Sequence, residues 1–212
     1  MIAFGGVDCK CVKGQGLMLR KPGNRARGGF TLTEIAIVLG VIGIILGAIW
    51  AAASRTNDAN KVQKATGQVM QILNNYRTLY AQRGVDVSDG TDVTCQGVTN
   101  NYFPSEMVIG ACTTATTSTY PVTPWNNGGY AQILGYQSVS GILIIYTSLP
   151  QTACNNLMAS LTTSPDLMYE NINGTAQYLP PYAATTVYTL PTINGLCVAG
   201  SGNYIEVMYP AK

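Results

Sequence analysis

Ten carboxylates, six cysteines and not one histidine are what this chain offers for chemistry. The missing histidine removes the commonest general base and the commonest metal ligand together. No P-loop, GxGxxG, GxSxG or close Cys/His spacing is present. Glu106, Asp166, Glu170 and Glu206 stand alone in the sequence and read as solvated or locally capping acids. Asp86, Asp89 and Asp92 in "DVSDGTD" are the one acidic cluster with a hint of calcium chemistry. Their spacing is not that of an EF-hand, no bidentate acid follows, and they read as a solvated turn. "NGT" at 173–175 matches a glycosylation sequon but coincides with a turn signal. The thirteen tyrosines are expected to pack on a helix and a sheet with their hydroxyls at the surface. An enzyme is not expected, nor a cofactor or metal.

Glu34 is different, because of where it stands. It closes "RARGGFTLTE" and opens an apolar run, Ile35 to Ala53, without a charge or strongly polar side chain. An acid where hydrocarbon begins is costly alone and needs a proton or a partner.

The elements that must carry Glu34 follow from the pattern around it. Ten of the residues from Ile35 to Ala53 are Ile, Val or Leu, which favours membrane insertion. At 1.5 Å per residue the run covers ~28 Å, close to a hydrocarbon core. Residues 1–29 hold six Lys/Arg against Asp8, so the positive-inside rule keeps them cytoplasmic. The balance beyond them is acidic, which leaves no basic patch for nucleic acid. From Ala59 the apolar residues Val62, Ala65, Val69, Ile72/Leu73, Tyr76 and Leu79/Tyr80 recur in steps of three and four. Lys61, Lys64, Gln68, Gln71, Asn75 and Arg77 largely avoid that face. One helix from about Thr31 to Arg83, stopped by Gly84, is predicted, with its second half docked on a domain.

That domain reads as strands and turns. Residues 141–149 look like a central strand covered on both faces; 130–136 and 203–210 also read as strands. Asn173-Gly174 signals a two-residue hairpin. Residues 152–161 look like a short helix with Thr152 as a cap, and 85–129 like a long ordered loop. Cys9 and Cys11 lie in the basic segment. Cys95, Cys112, Cys154 and Cys197 lie beyond the helix and suggest two disulfides in an oxidising compartment. Of three possible connectivities, the pairing of sequence neighbours, Cys95–Cys112 and Cys154–Cys197, is expected. The fold class is α+β, a long N-terminal helix on an antiparallel, disulfide-bearing head.

Two ordinary readings leave residues unexplained. A signal peptide cut near Ala51–Ser54 does not account for the length of the run or for the amphipathic face that continues past the site. A plain membrane anchor does not account for Gly28-Gly29-Phe30 or Glu34. "RARGGFTLTE" followed by the uncharged helix resembles the type IV pilin family, whose precursors end basic leaders in glycine. The match covers residues 20–83 well and the distal domain only in outline.

The resemblance implies a leader, 1–29, cut by a prepilin peptidase between Gly29 and Phe30, with N-methylation of Phe30. It implies a membrane and filament-core helix, 30–53, an amphipathic continuation, 54–84, and a globular head, 85–212. Glu34 would meet the α-amine of Phe30 on an adjacent subunit, so that a wrong register strands both charges. Gly40, Gly43 and Gly47 would allow close helix approach. The implied protein is a subunit of a homopolymeric pilus for adhesion, motility, aggregation or DNA transfer. It would sit in the bacterial inner membrane as a precursor, handled by the pilus assembly machinery, and outside the cell afterwards. The long leader and the length of the remaining chain resemble class b; Phe30 resembles class a. The alternatives are a minor pilin, a type II secretion pseudopilin, or a secreted or membrane-tethered binding protein or adhesin that does not polymerise.

Overall fold

The structure, a computed structural model, describes residues 29–83, 88–112, 119–125, 127–179 and 187–211. The leader up to Gly28 with Cys9 and Cys11, the helix stop at Gly84, and Asp86 lie outside them. The chain divides after Gly47 into two compact units, and the first helix, α1 (Leu32–Arg83), runs through both.

In the first unit every described residue is exposed. In the second, α1 becomes amphipathic. Val62, Ala65, Val69, Ile72, Leu73 and Tyr76 are buried, at the helical spacing that puts them on one face. They join a single core with the inner face of a six-stranded sheet.

The sheet order is β1 (Thr91–Asp92), β2 (Ala131–Tyr136), β3 (Gly141–Leu149), β6 (Asn203–Pro210), β4 (Tyr169–Ile172), β5 (Thr175–Tyr178). Every pairing is antiparallel. β3 lies between β2 and β6, and its side chains alternate between two cores. Ile142, Ile144 and Tyr146 face the helix; Leu143 and Ile145 join Met168 and Met208 on the other face. This is why its apolar run is unbroken: an exposed face would have shown alternation. β4 and β5 are joined at Asn173-Gly174, both at positive φ (52° and 88°), as the tight hairpin turn requires.

The stretch 85–129 is not simply a loop. It holds β1, the helix α2 (Thr94–Thr99) and a 3₁₀ turn at Ser105–Met107, elements too short to leave a periodic trace. The helix α3 (Gln151–Leu161) begins after Pro150, and Thr152 does not cap it: no side-chain cap bond is made there. A further helix, α4 (Leu190–Leu196), precedes Cys197. Disulfides join Cys95 to Cys112 and Cys154 to Cys197, with Cα atoms 4.9 and 5.9 Å apart.

Polar side chains finish the packing. The Asn203 amide donates to the carbonyls of Leu149 and Val198, and its oxygen accepts from Val198 N–H and the Asn173 amide. Asn173 also donates to the Leu196 carbonyl and accepts from Tyr204 N–H, so the sequon asparagine, only partly buried, pins the hairpin to β6 and to the end of α4. Gln68 does not avoid the packed face: it is buried and donates to Glu106 at 2.9 Å. Asn75 donates to the carbonyls of Asn101 and Tyr102, and Arg77 to the carbonyl of Pro210 and to Asp166. The tyrosine hydroxyls are not all at the surface, for that of Tyr146 is buried without a hydrogen-bond partner among the described residues, and Tyr209 is fully buried too.

Candidate assembly site

Glu34 is held by its own helix. Thr31 stands just before Leu32 and its carbonyl accepts from Ile35 N–H at 3.2 Å, which makes it the N-cap. Its hydroxyl accepts from Glu34 N–H at 3.2 Å. In return the Glu34 carboxylate accepts the Thr31 amide at 2.9 Å and the Thr31 hydroxyl at 3.0 Å. This reciprocal arrangement is a capping box. The T-x-x-E pattern at 31–34 is its sequence signature. The carboxylate therefore has a partner within its own helix turn. The negative charge also lies at the helix end where the dipole favours it.

Around this box the surface is apolar. Phe30 is 79% exposed and Leu32 86%. Ile35, Ile37, Val38, Leu39, Val41, Ile42, Ile44, Ile45 and Leu46 are all exposed, on every side of the helix. Among the described residues this is the one helix long and apolar enough to cross a membrane. A Cβ built on Gly40, Gly43 or Gly47 would meet nothing within 4 Å. Mid-helix glycine costs roughly 0.5–1 kcal/mol relative to alanine, and no contact among the described residues requires it at these three positions. Gly29 is equally open.

The lone acids of the second unit find varied partners. Glu106 takes Gln68 and, at 3.3 Å, the Lys64 ammonium; these partners hold its carboxyl below the usual range. Asp166 pairs with Arg77 at 3.1 Å. Both acids tie the head to the amphipathic face of α1. Asp92 accepts from Thr94 N–H, Gln132 and the Tyr120 hydroxyl, while Asp89 accepts from Ser138 N–H at 2.8 Å. Glu206 takes Asn171 and Tyr169.

Glu170 overturns its reading as a solvated or capping acid. Its pairing with Val207 and Gln177 turns it, like Ile172, toward the helix-side core, where it is fully buried. Oε1 accepts from Tyr188 N–H at 2.6 Å and from Gln177, and Oε2 has no partner among the described residues. Burial pushes its carboxyl above the usual range. Sequence reasoning missed it because the alternation of so short a strand does not say which face is covered. No group of three or more metal-ligating side chains occurs among the described residues.

Residues 24–50 match the family described as "Prokaryotic N-terminal methylation motif". A solved structure described as a type IV b pilin from Salmonella typhi is similar at 18% identity, over 65% of this chain and 97% of that chain, with a TM-score of 0.46. No curated protein matches the sequence. The chain carries a prokaryotic N-terminal methylation motif, the signal of type IV prepilins.

Proposed function

We propose that the chain is a class b type IV prepilin. A prepilin peptidase cuts it between Gly29 and Phe30, Phe30 is N-methylated, and residues 30–53 hold the product in the inner membrane. Assembly machinery then draws it into a helical filament with apolar helices inside and heads outside. One observation carries this reading: the methylation motif opens a helix whose first half has no cover within its unit and whose second half is built into a folded head. A signal peptide would not be expected to continue into the core of the mature domain.

Within the filament, the Glu34 carboxylate leaves its capping box for the new α-amine of Phe30 on a neighbouring subunit. The amine, with a reference pKa of about 7.7–8.0, is largely protonated near neutral pH. Gly40, Gly43 and Gly47 let neighbouring helices approach.

Intact mass and N-terminal sequencing of protein from the cells test the first step. The expected product begins at a singly methylated Phe30. A start at Ser54 would instead assign the secreted binding protein, and an intact Met1 the plain anchor. Electron microscopy of sheared surface material tests the second step, with filaments containing this chain as the expected result. Correct processing without filaments would overturn polymerisation while leaving the leader assignment standing.

A further inference from the structure

Between Gly84 and Ala211 the sequence contains no lysine, arginine or histidine, against seven acids. The cations of the chain beyond its leader lie on α1 and at Lys212. A domain so one-sided presents a negative field to anything small that approaches it.

The sheet face opposite α1 concentrates this field at a cleft. Met168 and Met208, both buried, form its floor, and Tyr136 and Tyr178 stand beside them, with Asp89 and Ser138 at the rim. The cleft encloses about 210 Å³, room for one side-chain-sized group. Tyr178 is 55% exposed and its ring lies 4.9 Å from that of Tyr169, tilted by 54°. Tyr169 in turn donates to Glu206 at 3.2 Å. The Tyr136 hydroxyl is pushed up by burial and by the facing groups Glu206, Tyr178 and Asp89. Hydrogen bonds from Ser138 hold the Asp89 carboxyl below its usual range, so it is ionised near neutral pH. The cleft thus brings two tyrosine rings and soft sulfur together with a carboxylate, and among its described lining residues there is no cation.

We propose that this cleft binds the quaternary ammonium group of a choline-type molecule. Tyrosine faces attract such a cation through the ring quadrupole, and methionine thioethers adapt to its methyl groups. A primary ammonium has three N–H donors to satisfy; Asp89 and Ser138 can accept some of them at one side, but the methionine side offers only weak thioether acceptors, whereas a quaternary group needs none. An anionic ligand meets the acids. The assignment concerns the head alone and holds whether or not the chain polymerises.

Isothermal titration calorimetry of the processed chain in non-ionic detergent micelles tests it. The probes are choline chloride, its uncharged isostere 3,3-dimethyl-1-butanol, and n-butylammonium chloride. Choline is expected to bind saturably, with the isostere weaker by about tenfold and butylammonium weaker as well. Asp89→Asn and Tyr178→Ala should each weaken choline about fivefold while the far-UV circular dichroism of the folded variants stays that of the parent. Absence of saturable choline binding, equal binding of the isostere, or variants that bind choline like the parent would overturn the site. Tighter binding of butylammonium would overturn the choice of a quaternary group and assign a lysine-type ligand.

Discussion

The capping box gives Glu34 two successive partners. Before assembly, Thr31 supplies two hydrogen bonds to its carboxylate; in the proposed filament an α-amine replaces them. Glu34→Ala should insert and be cleaved normally but yield at least tenfold fewer filaments, counted by shearing and immunoblot. Normal yield would remove the assembly role. Gly29→Ala should accumulate uncut precursor, read as a mass increase. At Glu170 the prediction concerns pH. Its folded-state carboxyl is raised above the ordinary value, so between the two values the native state holds a proton that the unfolded chain has released. Its stabilising contribution is complete below the ordinary carboxylate range and is lost as pH rises through the raised folded value. Glu170→Gln should therefore flatten this fall: urea midpoints of variant and parent should lie close at pH 4 and separate in the variant's favour at pH 7.5. The two acids differ in legibility. T-x-x-E is a local pattern and was readable, whereas the burial of Glu170 depends on strands distant in sequence.

Along α1, one continuous helix is asked to satisfy two surroundings, and its composition changes accordingly. The half up to Gly47 is apolar all round, while the half from Val62 has one apolar face built into the head. Ile72 is fully buried in that face. Ile72→Ala should lower the stability of the head by about 2–5 kcal/mol, measured by urea unfolding in detergent, while leaving membrane insertion unchanged. The long helix, the alternation in β6, the apolar β3 and the Asn-Gly hairpin were all legible because each repeats a period or uses a turn residue over enough positions. α4 was not: Pro191, Asn194 and Gly195 give it the composition of a turn. Its hold comes from buried Ile193 and from Cys197, bonded to α3. Gln68 was misplaced for a related reason. A polar side chain can lie on a packed face when an acid from another element, here Glu106, meets it.

For the whole molecule, the two disulfides close segments of different length, 17 and 43 residues. Loop-closure entropy gives about 3 kcal/mol for the shorter and about 4 kcal/mol for the longer. Replacing Cys154 and Cys197 together by alanine should thus destabilise the head more than replacing Cys95 and Cys112, as judged by denaturant midpoints. The one-sided charge of the head has a practical consequence of another kind. Trypsin cuts after lysine and arginine, and past Arg83 the next such residue is Lys212. Digestion releases the head as a single disulfide-bridged peptide, folded or not, and a survey that counts short tryptic peptides sees almost nothing of it. Amine-reactive dyes and cross-linkers meet the same blank. Once the proposed leader, with Lys10, Lys13 and Lys21, is gone, they would mark Lys61, Lys64, Lys212 and the new amino terminus, and every link they report would start from the helix or from an end of the chain.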